Sequence, residues 1–91
     1  NLQWGYDNRT VGLRVPQSDA DNRRIENRLA GADVNPYLAI AASLACGYLG
    51  IRERLMPGPA EAGNAYKRPF ELPGSLTDAI LALEESAPLK A

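Results

Sequence analysis

Residues 9–15 read Arg-Thr-Val-Gly-Leu-Arg-Val, with the apolar Val11, Leu13 and Val15 on every second position. A period of two predicts a strand with one apolar face, and it puts Arg14 on the opposite face with Thr10 and Gly12. Gly12 has no Cβ, which leaves room for a ligand or another backbone to come close. Pro16 ends the strand, because it has no N–H to give to a ladder. Residues 17–22 are polar, and alternation resumes beyond them. Arg24, Glu26 and Arg28 share one face of a second strand, with Ile25, Asn27 and Leu29 on the other. Two strands joined by so short a connection most simply pair antiparallel.

The period then lengthens. Ala30-Gly31-Ala32-Asp33 is a turn. Asn35 is placed to cap a helix whose first residue is Pro36, where the missing N–H costs nothing. The predicted helix runs from Pro36 to about Leu55 and is apolar on nearly every side, the pattern of a helix buried in a larger protein. Arg52 and Arg54 suit its C-terminal end, and Met56-Pro57-Gly58-Pro59 stops it. Residues 57–74 hold four of the seven prolines and read as a loop. Ser75 caps a second helix, with Asp78 in its first turn. Leu76, Ala79, Ile80 and Leu83 give that helix one apolar stripe, and Ala87-Pro88 ends it. The expected fold class is α+β: an antiparallel β-hairpin packed on a buried long helix, with a second, amphipathic helix.

Composition narrows the possible functions. The 91 residues make one small domain at most, and a net charge of −1 argues against a general nucleic-acid or membrane-surface binder. The chain has no histidine, which excludes a His-based triad or a His metal ligand within it. The single cysteine, Cys46, allows no internal disulfide, fits a reducing, cytoplasmic setting, and lies in an apolar run as a small core residue would. No targeting segment is visible, and the apolar stretch from Tyr37 to Ile51 is too short to span a bilayer comfortably. A helix buried all round needs more covering than one hairpin and one amphipathic helix supply. The chain is therefore expected to be a piece of something larger, or to associate strongly.

Charge is concentrated where chemistry would need it. Five of the eight arginines, at 9, 14, 23, 24 and 28, fall on the predicted hairpin. On one strand face, Arg24, Glu26 and Arg28 would sit about 6.8 Å apart. A row of cation, carboxylate and cation suits a polyanion held with a metal ion: arginines for phosphate or carboxylate oxygens, the carboxylate for a hard divalent cation. Polar-out alternation is also what any half-exposed antiparallel strand shows, so a plain solvated hairpin face is the competing explanation.

Four ordered segments carry a family resemblance: Asn8-Arg9-Thr10-Val11-Gly12-Leu13-Arg14-Val15-Pro16, Arg24-Ile25-Glu26-Asn27-Arg28, Asn35-Pro36-Tyr37-Leu38-Ala39 and Gly47-Tyr48-Leu49-Gly50-Ile51. In order and spacing they resemble the C-terminal catalytic domain of the glutamine synthetase family. Trp4-Gly5-Tyr6-Asp7-Asn8-Arg9 looks closest to its γ-glutamylputrescine (glutamate–polyamine) ligase branch. The resemblance implies ATP-dependent ligation: the γ-carboxylate of glutamate is phosphorylated, and ammonia or an amine then displaces phosphate. It implies that Glu26 binds the metal, Mg²⁺ or Mn²⁺, near the nucleotide's phosphates. Arg28 would contact the side-chain carboxylate of glutamate, Arg9 would steady the transferred phosphoryl group, and Arg14 and Arg24 would contact ATP. A large homo-oligomer of ring-shaped layers is implied too.

The resemblance also marks departures. Residues 1–91 would be a C-terminal fragment of the catalytic domain. The family's N-terminal β-grasp domain, its other metal-binding glutamates, its metal-binding histidine and its flap glutamate are not among these residues. One carboxylate does not hold two or three divalent ions, so the 91-residue chain alone is expected to be inactive. In Arg68-Pro69-Phe70-Glu71-Leu72-Pro73, Phe70 stands where related bacterial enzymes carry a regulatory tyrosine, and without a hydroxyl it is not adenylylated. The rival reading is a stand-alone structural or interaction module whose arginine hairpin binds anions without catalysis.

Overall fold

Glycine and asparagine, more than apolar alternation, set the course of the chain around the candidate site. The computed structural model describes residues 1–90. They divide into two compact units, one of residues 1–32 and 58–72, the other of residues 33–57 and 73–90.

The first unit is built on a three-stranded sheet in the order β1 (Trp4–Tyr6), β2 (Leu13–Val15), β3 (Glu26–Asn27). β2 and β3 pair antiparallel, with Leu13 opposite Asn27 and Arg14 opposite Glu26, as the alternation predicts. β1 was not foreseen. It pairs parallel to β2, with Trp4 opposite Leu13 and Tyr6 opposite Val15. Parallel neighbours usually need a long crossover. Here both strands have only three residues, so a return of about 10 Å is within reach of residues 7–12, which extend to about 20 Å.

The predicted strand at 9–15 is correspondingly shorter. Asn8 Oδ1 accepts from the Thr10 N–H at 3.0 Å and from the Thr10 hydroxyl at 2.7 Å, an Asx turn that bends residues 8–10 out of the sheet. Gly12 is packed as expected: a Cβ there would run into the Asn1 carbonyl and the Leu29 side chain.

Residues 58–72 are not a free loop. Asn8 Nδ2 donates to the carbonyls of Glu61 (2.9 Å) and Gly63 (2.8 Å), and Trp4 Nε1 donates to Gly58 O at 2.8 Å. The Glu61 N–H returns to the Trp4 carbonyl at 2.8 Å. Asn1 Nδ2 bridges the carbonyls of Thr10 and Ala65, and the Ala65 N–H donates to Thr10 Oγ1 at 2.8 Å. Val11, Pro16 and Ala65 are the buried apolar side chains among the described residues. This unit is therefore stitched chiefly by side-chain-to-backbone hydrogen bonds, each worth about 1 kcal/mol net.

The second unit is helical. α1 spans Pro36–Arg52, and Asn35 Oδ1 accepts from the N–H groups of Tyr37 (3.0 Å) and Leu38 (3.3 Å). It stops short of Leu55 in a Schellman turn: the Leu55 N–H bonds to the Gly50 carbonyl and the Arg54 N–H to the Ile51 carbonyl, with Arg54 at φ 54°. α2 spans Leu76–Glu85, with Ser75 Oγ accepting from the Asp78 N–H at 3.1 Å, and a single turn, α3 (Ala87–Lys90), follows it. α3 packs on both α1 and α2. The expected buried helix is corrected here. No residue of α1 is buried: Tyr37 is 84%, Leu38 68% and Ile51 80% exposed, and Cys46 is exposed as well. The reason is the shortage foreseen from the sequence, since α2 and α3 together are too small to cover an apolar cylinder of 17 residues.

Candidate active site

Antiparallel register places Arg14 directly opposite Glu26, and that pairing begins a row of alternating charge. Arg14 Nη1 lies 3.1 Å from Glu26 Oε2 and Arg14 Nη2 3.5 Å from Asp7 Oδ1. Arg28 Nη1 approaches the same Glu26 Oε2 at 3.5 Å. Asp7 is held in turn, because its Oδ1 accepts from the Gln17 N–H at 3.0 Å and its own N–H donates to the Val15 carbonyl at 3.1 Å. The Arg14 hydrogen bond, working against partial desolvation and helped by the Arg28 charge, holds the Glu26 carboxyl below its ordinary value. Glu26 is therefore a stable anion at neutral pH.

Arg28 is fixed from both ends. Its N–H donates to the Gly12 carbonyl at 2.8 Å, and its Nη2 donates to the Arg9 carbonyl at 3.3 Å. Beside it opens a cleft of about 310 Å³. Arg9, Arg28 and Arg68 line this cleft, with Thr10 and Tyr66 among its polar neighbours. Val11, Leu29, Phe70 and Leu72 give it an apolar lining. Arg9 has no ion-pair partner among the described residues, so its guanidinium is free to take an anion.

The structure thus brings together Arg9 and Arg28 at the cleft, and Arg14 and Glu26 in the charge row next to it. Arg24 is not brought in. β3 is only two residues long, and the chain before it is taken up by a 3₁₀ turn at Ala20–Asn22 capped by Asp19. Arg24 Nη1 donates to the Asn22 carbonyl at 3.0 Å instead of facing Glu26. The expected row of 24, 26 and 28 on one strand is therefore corrected: the partners of Glu26 are Arg14, across the strands, and Arg28.

Sequence reasoning missed Arg68 and its partner Glu61, whose Oε2 accepts from Arg68 Nε at 2.6 Å. Neither lies in a periodic segment. The one local signal was an arginine directly before Pro69-Phe70, read there only for a missing hydroxyl.

The arrangement also bears on a metal ion. Glu26 offers a hard, ionised oxygen, but its Oε2 is already shared by two arginines. No three His, Cys, Asp or Glu side chains converge on a metal-sized site among the described residues. These residues supply one ligand and do not hold a divalent ion by themselves. Among the described residues no helix is long and apolar enough to cross a membrane.

The sequence profile described as "Glutamine synthetase, catalytic domain" matches residues 1–91, and the chain belongs to the glutamine synthetase family. A glutamate–isopropylamine ligase of a Pseudomonas species is 49% identical over 87 residues, covering 96% of this chain and 18% of that relative. A gamma-glutamylethanolamide synthetase of Streptomyces coelicolor is 48% identical over 92 residues, 99% of this chain and 20% of its own length. A gamma-glutamylputrescine synthetase of Escherichia coli is 60% identical over 42 residues, 46% of this chain and 9% of its own. The likeness extends to the polyamine branch, and the chain spans about a fifth of the length of the first two relatives.

Proposed function

We propose that this chain is the C-terminal part of the catalytic domain of an ATP-dependent glutamate–amine ligase and forms one wall of its active site. The observation that carries this reading is the cleft itself, where Arg9 and Arg28, far apart in sequence, line one space beside an ionised Glu26.

A γ-carboxylate oxygen of glutamate attacks the terminal phosphorus of ATP, ADP leaves, and γ-glutamyl phosphate forms. The amine nitrogen then attacks the acyl carbon, phosphate departs with the bonding pair, and the nitrogen loses a proton. Both steps gather negative charge on phosphoryl oxygens, and fixed positive charge lowers their barriers. In this scheme Arg28 pairs with the glutamate side-chain carboxylate and Arg9 steadies the phosphoryl group in transfer. Their planar forks match such oxygens two at a time, as lysine does not. Arg14 contacts ATP, whereas the same role expected of Arg24 has no support here, because its Nη1 is turned to the Asn22 carbonyl. Arg14 has Nη1 on Glu26, Nη2 near Asp7 and a buried Nε, so the N–H groups its two Nη atoms keep over are what it has to offer. Glu26 would give one oxygen to Mg²⁺ or Mn²⁺, and the other ligands would have to come from outside these residues. When bound, such an ion neutralises phosphate charge.

The acceptor is an amine in this reading, because the relatives named above are ligases of isopropylamine and synthetases of glutamylethanolamide and glutamylputrescine. The exposed apolar sides of α1 support a setting inside a larger, oligomeric enzyme, which covers them; a cytoplasmic location is proposed from the single cysteine alone. In the whole protein, Glu26→Ala should raise the Mg²⁺ or Mn²⁺ requirement and cut turnover about 100-fold or more. Unchanged turnover would remove the role given to Glu26.

A further inference from the structure

The cleft holds one guanidinium that the roles above leave unused. Arg68 reaches it from the 58–72 segment, and its Nε donates to Glu61 Oε2 at 2.6 Å. Glu61 is a fixed peg. Its N–H bonds the Trp4 carbonyl at 2.8 Å, its carbonyl accepts from Asn8 Nδ2 at 2.9 Å, and its Oε1 accepts from the Gly63 N–H at 2.9 Å. The Arg68 hydrogen bond, followed by that of Gly63, keeps the Glu61 carboxyl below its ordinary value. The Glu61 side chain is only 11% exposed, whereas that of Arg68 is 57% exposed.

The donor inventory of the three cleft arginines separates their uses. Arg28 has Nη1 on Glu26 and Nη2 on the Arg9 carbonyl, so each arm of its fork keeps only one N–H for a ligand. Arg68 spends only Nε, and neither of its Nη groups makes a hydrogen bond among the described residues. A guanidinium anchored through Nε presents its two Nη groups as a pre-oriented pair. Arg9 is the one cleft arginine without an ion-pair partner among the described residues. A carboxylate has two oxygens and is satisfied by one such fork. A phosphoryl group has three or four and can be shared between two.

We infer that Arg68 is an anion-binding residue of this cleft, taking two oxygens of a phosphoryl group on Nη1 and Nη2 while Nε stays on Glu61, with Arg9 holding the same group from its own segment. The phosphoryl group is either free phosphate or the terminal phosphate of a nucleotide. The inference rests on the ligase reading only for the origin of the phosphate, not for its binding.

Isothermal titration of the whole protein with inorganic phosphate, and separately with metal-free ADP, tests this. Arg68→Ala should weaken phosphate about tenfold or more. Arg68→Lys should not restore it, because an ammonium does not grip Glu61 and two further oxygens in one plane. Glu61→Gln should give a smaller loss in the same direction. A loss for both ligands assigns the group to the nucleotide, and a loss for phosphate alone assigns it to the free ion. Parental phosphate affinity in a folded Arg68→Ala protein overturns the inference. Should the alanine variant not fold, parental affinity in Arg68→Lys does the same. If phosphate binding needs Arg68 while turnover ignores Glu26→Ala, this inference stands and the ligase role given to Glu26 falls.

Discussion

The unit of residues 1–32 and 58–72 and the unit of residues 33–57 and 73–90 solve folding in opposite ways. The first has little regular structure and few buried apolar side chains, yet it holds the charge row and the cleft. Long-range bonds from Asn1, Asn8 and Thr10 keep it in shape. The second is regular, capped helix with almost nothing buried and no part of the candidate site. Helices here are local objects, set by caps and periodicity. The site is a non-local object, set by polar side chains that reach across 53 to 64 residues of sequence.

The single tryptophan, Trp4, lies in the first unit, and most of the helix lies in the second. Trp4 fluorescence and far-UV ellipticity therefore report the two units separately. The largest structural effect is expected from Gly12→Ala. The added methyl meets the Asn1 carbonyl and Leu29, so the first unit should lose about 1–3 kcal/mol. Its fluorescence transition should move to lower denaturant while ellipticity holds. A joint shift of both signals would show that the units are energetically one.

Acid should divide them next. Glu26 and Glu61 both titrate below their ordinary value of 4.5 in the folded state. Their contribution is complete above that value and fades as the pH falls through the lowered ones. Below about pH 4.5 the Trp4 signal should change before the helical signal, and less so at high salt, which screens exposed pairs and shrinks the shift that makes them acid-sensitive. Simultaneous loss would argue that these pairs do not govern the first unit. The smallest effect is the converse one. Asn35→Ala removes the cap of α1 and should cost the second unit about 1 kcal/mol, visible in ellipticity and absent from fluorescence.

The same contrast explains what was legible in the sequence. Asn35-Pro36 and Ser75 announced both main helices, because a cap needs only its next few residues. The pairing of β2 with β3 followed from alternation and a short connection. β1 was not legible, since Trp4-Gly5-Tyr6 is too short to show a period. Nor was the tethering of 58–72, because nothing in a run of Gly, Pro and Ala reveals that Asn8 will bind its carbonyls. For the same reason Arg24 was placed in the charge row and Arg68 was left out of the cleft. Arg9, Arg14, Glu26 and Arg28 were found because motif and register coincide there.

The central claim is that the cleft arginines act on the glutamate and phosphoryl groups of a ligation reaction, and steady-state kinetics of Arg28→Ala in the whole protein tests it most directly. The account predicts a KM for glutamate raised about tenfold or more, with the KM for ATP nearly unchanged. An equal rise in both constants would contradict it.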